Sequence, residues 1–401
     1  MAARIVVLGG SFAGLTAAFD LKRELGERAE VTVVARQPQF VYIPSLIWVV
    51  PGWRTAEDVT FDLRGALEPK GIRFVHAVAE RIEAERNAVL TDQGELLYDY
   101  LVVATGPAFD WEAVPGVGPH GGYTQSICSL PHAQAAQKAW EAFLRDPGPV
   151  VLGATQWASC FGAEYEMVFN VDRALRKAGV RDRAPITFIT AEPFLGHFGI
   201  GGMKGGRTML EMFYKLLRIR AISNVATEKV TPGEVHLSDG RVVPFKYAIV
   251  IPPFKGVAAI RNSPGLGDAR GFVPVNDRYQ HPTFPNVYAA GVAVAVKPPE
   301  ATPVPCGVPK TGYMSEVMAK TAAHNIAVAI KGGTPRELPF ADIKALCVMD
   351  AGSQGVVLVA NRIFKPRRFE LLIPGPWSHW VKVLFEKYYL WKMRTGRSWL
   401  P

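Results

Sequence analysis

Four cysteines, set among a few acids and histidines, are the residues best suited to redox chemistry, and Cys160 has the most telling surroundings. It stands in GPVVLGATQWASCFGAEYE, residues 148–166. An apolar strand there meets a tight turn at Gly153 and then a helix, the opening of a dinucleotide-binding βαβ unit. Such units carry G-x-G-x-x-G because glycines let the backbone approach a pyrophosphate. Here the second and third glycine positions hold Thr155 and Ala158, with Trp157 between them. The loop has lost its close approach and gained a thiol. A cysteine in the first turns of a helix is favoured as thiolate by the macrodipole, by roughly 0.3–1 kcal/mol. The same residue taken alone reads more readily as a buried, inert cysteine packed under the sheet. Glu166 can share that side of the helix and handle protons, as can His197 and, less directly, His132. Cys128, Cys306 and Cys347 lie far from Cys160 in sequence and form no C-x-x-C. That spacing argues against a metal site or a disulfide-stapled small fold and leaves redox or incidental roles.

The elements that must position these groups read as an α/β chain. Ile5–Leu8 is an apolar strand, GGSFAG follows at residues 9–14, and an amphipathic helix runs to Leu25 before a second strand at Val31–Val34. Gly9, Ser11, Phe12, Ala13 and Gly14 form this first nucleotide loop. The acid expected at the end of the second strand is replaced by Ala35 and Arg36, which suits a relaxed adenosine site or, alternatively, an arginine for a 2′-phosphate. Residues 87–107 (NAVLTDQGELLYDYLVVATGP) and 234–254 (EVHLSDGRVVPFKYAIVIPPF) repeat one pattern of strand, D-x-G or D-G turn, strand, and aromatic-led apolar strand. Two tandem Rossmann-like folds are therefore expected. NVYAAGVAVA (286–295), a Pro-rich loop (298–309) and a helix from Thr311 to about Ile330 come next, and Lys310 opens that helix with Gly312 in its first turn. Gly332–Pro335 is the expected linker to a small tail.

The chain has 401 residues, 49% of them hydrophobic, and a formal charge of +9 from 45 basic and 36 acidic residues. This charge suits anions or an anionic membrane surface. Nucleic acid is not expected, because no segment interleaves basic and aromatic residues in a binding module. No run of 18 apolar residues suggests a transmembrane helix, and MAARIVVLGG enters a strand too early for a signal peptide. In the tail, Trp377, Trp380, Val381, Leu384, Phe385 and Tyr388 form a helical apolar stripe, flanked by Lys382, Lys387, Lys392, Arg394 and Arg397 against Glu386 alone. An isolated stripe of this kind usually packs in a core. Four tryptophans among cations favour a helix lying in a membrane interface.

ATG (Ala104, Thr105, Gly106) and NVYAAG (ending at Gly291) are, with GGSFAG, flavin-contacting motifs of the two-dinucleotide-fold flavoproteins. Beyond these, QWASCFGAEYE, TAEPFLGHFGIGG, PKTGYMSE and FEKYYLWKMRTG resemble sulfide:quinone oxidoreductases, along nearly the whole chain. Cys128 in QSIC, Cys160 in ASCFG and Cys347 in ALCVMDAG fit the three cysteines of that family; Cys306 has no counterpart and reads as an incidental loop thiol. The resemblance implies an FAD-binding domain (1–147 and 266–331), a degenerate Rossmann-like domain (148–265) and a tail (332–401) carrying the membrane- and quinone-binding helix. It implies FAD as cofactor and a Cys160–Cys347 disulfide or polysulfur bridge opened by hydrosulfide, with Cys347 as attacking thiolate, Cys160 as persulfide carrier and Cys128 auxiliary or flavin-linked. Sulfane sulfur or polysulfide would be the product, and a membrane quinone at Leu346, Phe385 and Tyr389 the acceptor. Lys310, Thr311 and Gly312 would support the reduced ring. Val292 stands where the wider superfamily has aspartate, an apolar choice common in this family. The chain ends at Pro401, where many relatives continue, so the strength of membrane attachment is open. A peripheral protein of a prokaryotic cytoplasmic membrane is expected, and a homo-oligomer is admitted. The alternatives are a flavocytochrome c-type sulfide dehydrogenase flavin subunit, a type II NADH:quinone oxidoreductase, and a flavoprotein that binds membranes without catalysis.

Overall fold

Short β-branched runs such as Val31–Val34 form strands here because both faces of each parallel sheet are covered, and such strands read as continuous apolar stretches. The computed structural model describes residues 1–352 and 354–401. In chain order the principal elements begin with β1 (Ala3–Leu8), α1 (Phe12–Leu25), β2 (Ala29–Ala35), β3 (Arg73–His76), β4 (Tyr100–Val103) and α2 (Leu130–Arg145). Next come β5 (Val150–Ala154), α3 (Phe161–Lys177), β6 (Ile186–Thr190), α4 (Gly206–Leu216), β7 (Ile219–Ile222) and β8 (Tyr247–Ile251). The chain closes with β9 (Val287–Ala289), α5 (Gly312–Lys331), β10 (Ala345–Asp350), β11 (Gly355–Ala360), β12 (Glu370–Gly375) and α6 (Trp377–Arg394).

The first sheet is parallel, in the order β9-β4-β1-β2-β3, and the second is parallel in the order β7-β6-β5-β8. Antiparallel strands Ala79–Glu83, Ala88–Thr91 and Gly94–Leu97 lead into β4. Their counterparts Thr227–Thr231, Glu234–Leu237 and Val242–Pro244 lead into β8. These are the two copies of the sequence repeat. Register sets the business end of each sheet. Leu8 pairs with both Val34 and Val103, and Ala289 with Val103, so Gly9, Ala35, Ala104 and Ala290 emerge along one edge. Ala154 pairs with Thr190 and Ile251, which brings the Thr155–Cys160 loop to the same carboxyl edge of the second sheet. Ligands of open parallel sheets bind at such edges.

The tail is more than a helix: β10, β11 and β12 form an antiparallel sheet ahead of α6. Met349, Leu358, Tyr389 and Met393 join the same buried core as the first sheet. The orientation of α6 corrects the sequence reading. Its polar residues point inward: Lys382 Nζ donates to Glu166 Oε1 at 2.6 Å, and Lys392 Nζ to Glu316 Oε1 at 2.9 Å. Glu386 accepts from Arg54 Nε at 3.0 Å and from the Ser45 hydroxyl. Lys382, Glu386 and Lys392 are thus buried partners of the core rather than solvated flanks, while Lys387, Arg394 and Arg397 remain exposed. Tyr389, Leu390 and Met393 pack inward beside the buried partners, while other apolar residues face outward, with Trp380 and Leu384 each 67% exposed and Trp377, Phe385 and Trp391 exposed beside them. A helix docked through buried ion pairs is held by geometry more than by net energy, since desolvation nearly offsets the attraction. Among the described residues no helix is long and apolar enough to cross a membrane.

Candidate active site

Cys160 is the N-cap residue of α3, and Cys347 lies in the middle of β10, opposite Leu358 of β11. Glu166 ties the two elements together: its Oε1 accepts the Asp350 N–H at 2.5 Å as well as Lys382 Nζ. Asn170 Nδ2, one turn on, donates to Asp350 O at 3.4 Å. The strand bearing Cys347 is therefore fastened to the helix that begins at Cys160, and Lys382 locks the junction from α6. Among the causes that raise these thiols, Cys128 acts on Cys160 and Cys160 acts on Cys347, so the three belong to one electrostatic neighbourhood. All four cysteines are unbridged thiols.

Burial pushes the Cys160 thiol from an ordinary 9.0 up to about 12, with Cys128 and Glu164 adding to the effect. That is roughly 4 kcal/mol against the thiolate, several times what a helix N-terminus supplies. The thiolate expected from the helix position alone is overruled by desolvation. Cys128 and Cys347 are likewise pushed up to about 12 by burial; at Cys347 Glu166 adds to the shift and Lys382 opposes it.

The degenerate loop has closed on itself. Thr155 N–H donates to Ile251 O at 3.0 Å, Trp157 N–H to Pro305 O at 2.8 Å, and Ala158 N–H to Thr155 O at 3.3 Å. These are groups that a pyrophosphate would need. Trp157 adopts φ +62°, its ring covered by Arg270 at 4.5 Å, and Gln156 exchanges two hydrogen bonds with Thr227. Gly307 N–H returns to Ala158 O at 2.9 Å, and a Cβ at Gly307 would sit 2.2 Å from Ser159 Oγ. Cys306, read from sequence as an incidental loop thiol, is 4% exposed in the very strut that closes the former cradle.

The first loop is the opposite case. Leu15 N–H to Ser11 O is the first bond of α1, which leaves the N–H groups of Phe12, Ala13 and Gly14 ahead of it, and Ser11 makes no side-chain cap. Those groups form an anion site at a helix N-terminus. Close packing demands the glycines: a Cβ on Gly9 would lie 2.2 Å from Ala104 O, and one on Gly14 only 1.8 Å from Gly9 O. Gly291 closes on Ala13 and Ser315, and Gly312 on the Phe12 ring, so Ala104–Gly106, Gly291–Val292 and Thr311–Gly312 converge around this loop. These residues fit a dinucleotide such as a flavin. Ala35 is buried and Arg36 exposed, its carbonyl accepting from His76 Nε2 at 3.1 Å. Lys310 donates to Val294 O at 2.7 Å and lies over Phe272; burial, then Arg270, lowers it to about 7.

Of the expected proton carriers, the structure engages each elsewhere. Glu166 is held by Lys382 and is not a free base beside Cys160. His197 accepts the Gly199 N–H at Nδ1, 3.2 Å, which leaves its proton on Nε2 for Glu300 Oε1 at 2.8 Å. His132 meets His120 at 3.1 Å and packs against Phe109 and Trp111. Burial, then His120, lowers its pKa. The acid that sequence reasoning passed over is Glu164, which is four residues past Cys160, 2% exposed, and close enough to raise the Cys128, Cys160 and Cys306 thiols. The i, i+4 spacing, which stacks residues on one helix side, was the available signal.

At the other end, Tyr389 packs against Phe12 at 5.0 Å and Tyr42 at 5.5 Å, and Phe385 against Tyr389 at 6.0 Å. Tyr389 is 2% exposed, whereas Phe385 and Leu346 stand open at 40% and 41%. Leu346 alternates with Cys347 along β10 and so projects from the opposite face of the sheet.

The sequence pattern of the family described as pyridine nucleotide-disulphide oxidoreductase matches residues 3–319. The chain is 37% identical over 403 residues to the sulfide-quinone reductase of Aquifex aeolicus, covering 99% of this chain and 92% of that one. It is 26% identical over 309 residues to the mitochondrial sulfide:quinone oxidoreductase of Mus musculus, covering 72% of this chain and 64% of that one. The X-ray structure of the sulfide:quinone oxidoreductase from Aquifex aeolicus superposes with a TM-score of 0.94 at 36% identity, over 98% of this chain and 92% of that one. With its paired Rossmann-like folds and a match of this length, the chain belongs to the sulfide:quinone oxidoreductases of the pyridine nucleotide-disulphide oxidoreductase family.

Proposed function

We propose that this protein oxidises sulfide to sulfane sulfur or polysulfide through Cys160 and Cys347 and delivers the two electrons, by way of bound FAD, to a membrane quinone. The observation that carries this reading is the closed second cradle: the N–H groups of Thr155, Trp157 and Ala158 already serve the protein, and Cys160 follows them as cap of the helix to which the strand of Cys347 is fastened. An NADH-oxidising relative needs that cradle open. Phe12–Gly14, Ala104–Gly106 and Gly291 would hold the flavin, which would supply a two-electron acceptor between sulfide and quinone.

Thiols held near 12 are weak nucleophiles at neutral pH, so the reactive partner is the incoming anion. Hydrosulfide attacks an oxidised Cys160–Cys347 pair. The old S–S bond breaks, a new one forms as a persulfide on Cys160, and Cys347 leaves as thiolate. Lys382, which lowers the Cys347 thiol, favours that leaving group. Oxidation of hydrosulfide to one sulfane sulfur releases two electrons and one proton. Tyr389, Phe385 and Leu346 are the proposed quinone contacts, and the outward apolar face of α6 is the proposed seat in a cytoplasmic membrane surface. An exported flavin subunit serving a haem partner explains that greasy face less well.

Anaerobic addition of sulfide to the flavin-loaded protein is expected to bleach the flavin within the time of mixing, while equal NADH leaves it oxidised. Bleaching by NADH and not by sulfide would overturn the reading.

A further inference from the structure

The sulfur chemistry above leaves two buried acids without a task. Glu164 is 2% exposed on the first turn of α3, and neither of its carboxyl oxygens has a partner among the described residues. Its neighbours in the fold are treated otherwise: Glu166 has Lys382, Glu316 has Lys392, Glu386 has Arg54 and Asp172 has Arg181. An unpaired carboxylate so deep is costly, and burial together with Glu192 holds Glu164 well above the usual carboxylate range. It is kept as the neutral acid.

Glu192 lies just past the end of β6, fully buried, and its oxygens are surrounded by donors. The Tyr165 hydroxyl donates at 2.7 Å, the Thr190 hydroxyl at 3.0 Å and the Phe198 N–H at 2.5 Å. Burial pushes it up to about 7 despite these bonds, so near neutral pH it exchanges a proton readily. A cavity of about 10 Å³ touches Glu164 and is lined by Ile127, Leu152, Gly153, Met167, Ile249 and Ile251. Apart from Glu164 that lining is apolar, so it offers the acid no hydrogen-bond partner. The Tyr214 hydroxyl from α4, buried and also without a partner, feels both acids. On its other side Glu164 is felt by Cys128, Cys160 and Cys306. The titratable groups facing the pair are therefore three thiols and two tyrosines; no cation appears among them in the described residues.

We propose that Glu164 and Glu192 form a neutral acid–carboxylate couple that takes up the proton released at the sulfur site. The proposal rests on the sulfide-oxidising reading. When the Cys160 persulfide closes onto the Cys347 thiolate, its S–H bond breaks and a new S–S bond forms, giving a trisulfide, one proton and two electrons, for which a bound flavin would be the acceptor. The proton passes to Glu164 and from it to Glu192, a transfer that requires the Glu164 carboxyl to turn out of the partnerless position it holds at rest. Both acids are then neutral until one proton returns to solvent. No isolated charge is created between the thiols and Glu192, which suits a path without counter-ions.

Glu164→Gln in the FAD-loaded protein keeps the size and neutrality of the resting acid, so a purely structural role survives it and a proton path does not. Sulfide-driven flavin bleaching is expected to slow by roughly 100-fold, and to lose the dependence on pH near neutrality expected of the wild type. In the infrared difference spectrum of the resting protein, the carbonyl band of a protonated carboxyl should vanish in E164Q. Glu192→Gln should slow bleaching similarly while that band remains, which keeps the test decisive if E164Q folds poorly. Wild-type bleaching in both variants, or a resting Glu164 without a protonated-carboxyl band, would overturn the proposal. Failure of the underlying reading looks different: the wild type itself would not be bleached by sulfide.

Discussion

Cys160→Ala and Cys347→Ala are each expected to abolish sulfide-driven flavin reduction, by roughly 10⁴-fold or more, the scale seen when a covalent nucleophile is removed. The flavin should stay bound, because its proposed contacts around Gly9–Gly14 and Ala104–Gly106 lie on the other sheet. The size of the effect follows from the pairing of the two elements: the strand of Cys347 is fastened through Asp350 to Glu166 on the helix that Cys160 caps. Without either end of the pair there is no bond for hydrosulfide to open. Cys306→Ala is the contrasting variant. Its thiol serves the strut through Pro305 and Gly307 by position alone, with its sulfur 3.7 Å from Val304 O, so bleaching should stay within about twofold of wild type. Stopped-flow absorbance under sulfide separates these outcomes, and appreciable turnover in either of the first two variants would break the mechanism.

The second large effect concerns the outward face of α6. Trp380→Glu combined with Leu384→Glu is expected to release the protein from anionic vesicles while leaving its thermal stability nearly unchanged. Both side chains are 67% exposed, so little folded contact is lost. Burying a large apolar side chain in lipid is worth roughly 1.5–3 kcal/mol. Two of them therefore amount to about 3–6 kcal/mol, a fall of roughly 10²- to 10⁴-fold in partitioning. Cosedimentation with vesicles measures it directly. Lys387, Arg394 and Arg397, exposed beside this face, add an attraction that salt should weaken. Undiminished binding by the double variant would show that α6 does not seat the protein on lipid.

Much of the scaffold was legible because it depends on local pattern. The β-branched strands, the GGSFAG loop and the repeated hairpins before β4 and β8 each follow from a few neighbouring residues. What was illegible depends on partners far along the chain. The i, i+3, i+4 stripe of α6 is the same whether its apolar side faces core or solvent. Only Glu166, Glu316 and Arg54, distant in sequence, turn Lys382, Lys392 and Glu386 inward. The same long-range pairing decides which carboxylate near Cys160 is free. Glu166 is claimed by a lysine 216 residues away, and Glu164, the nearer in sequence, is claimed by none among the described residues. His197 finds Glu300 across 103 residues, which no local spacing announces. The helix-start argument for a Cys160 thiolate failed for a related reason: the dipole is a local property, whereas desolvation is imposed by everything packed around the loop.

The claim at the centre of this account is that a closed nucleotide loop has become a sulfur-accepting site. It is tested most directly by locating the added sulfur. The oxidised protein is mixed anaerobically with one equivalent of sulfide, trapped at once with an alkylating reagent, digested and mapped by mass spectrometry. The account predicts an extra sulfur on the peptide carrying Cys160, or bridging it to the peptide carrying Cys347, with Cys306 alkylated as a plain thiol. Extra sulfur confined to Cys128 or Cys306, with Cys160 and Cys347 both recovered as plain thiols, would contradict it.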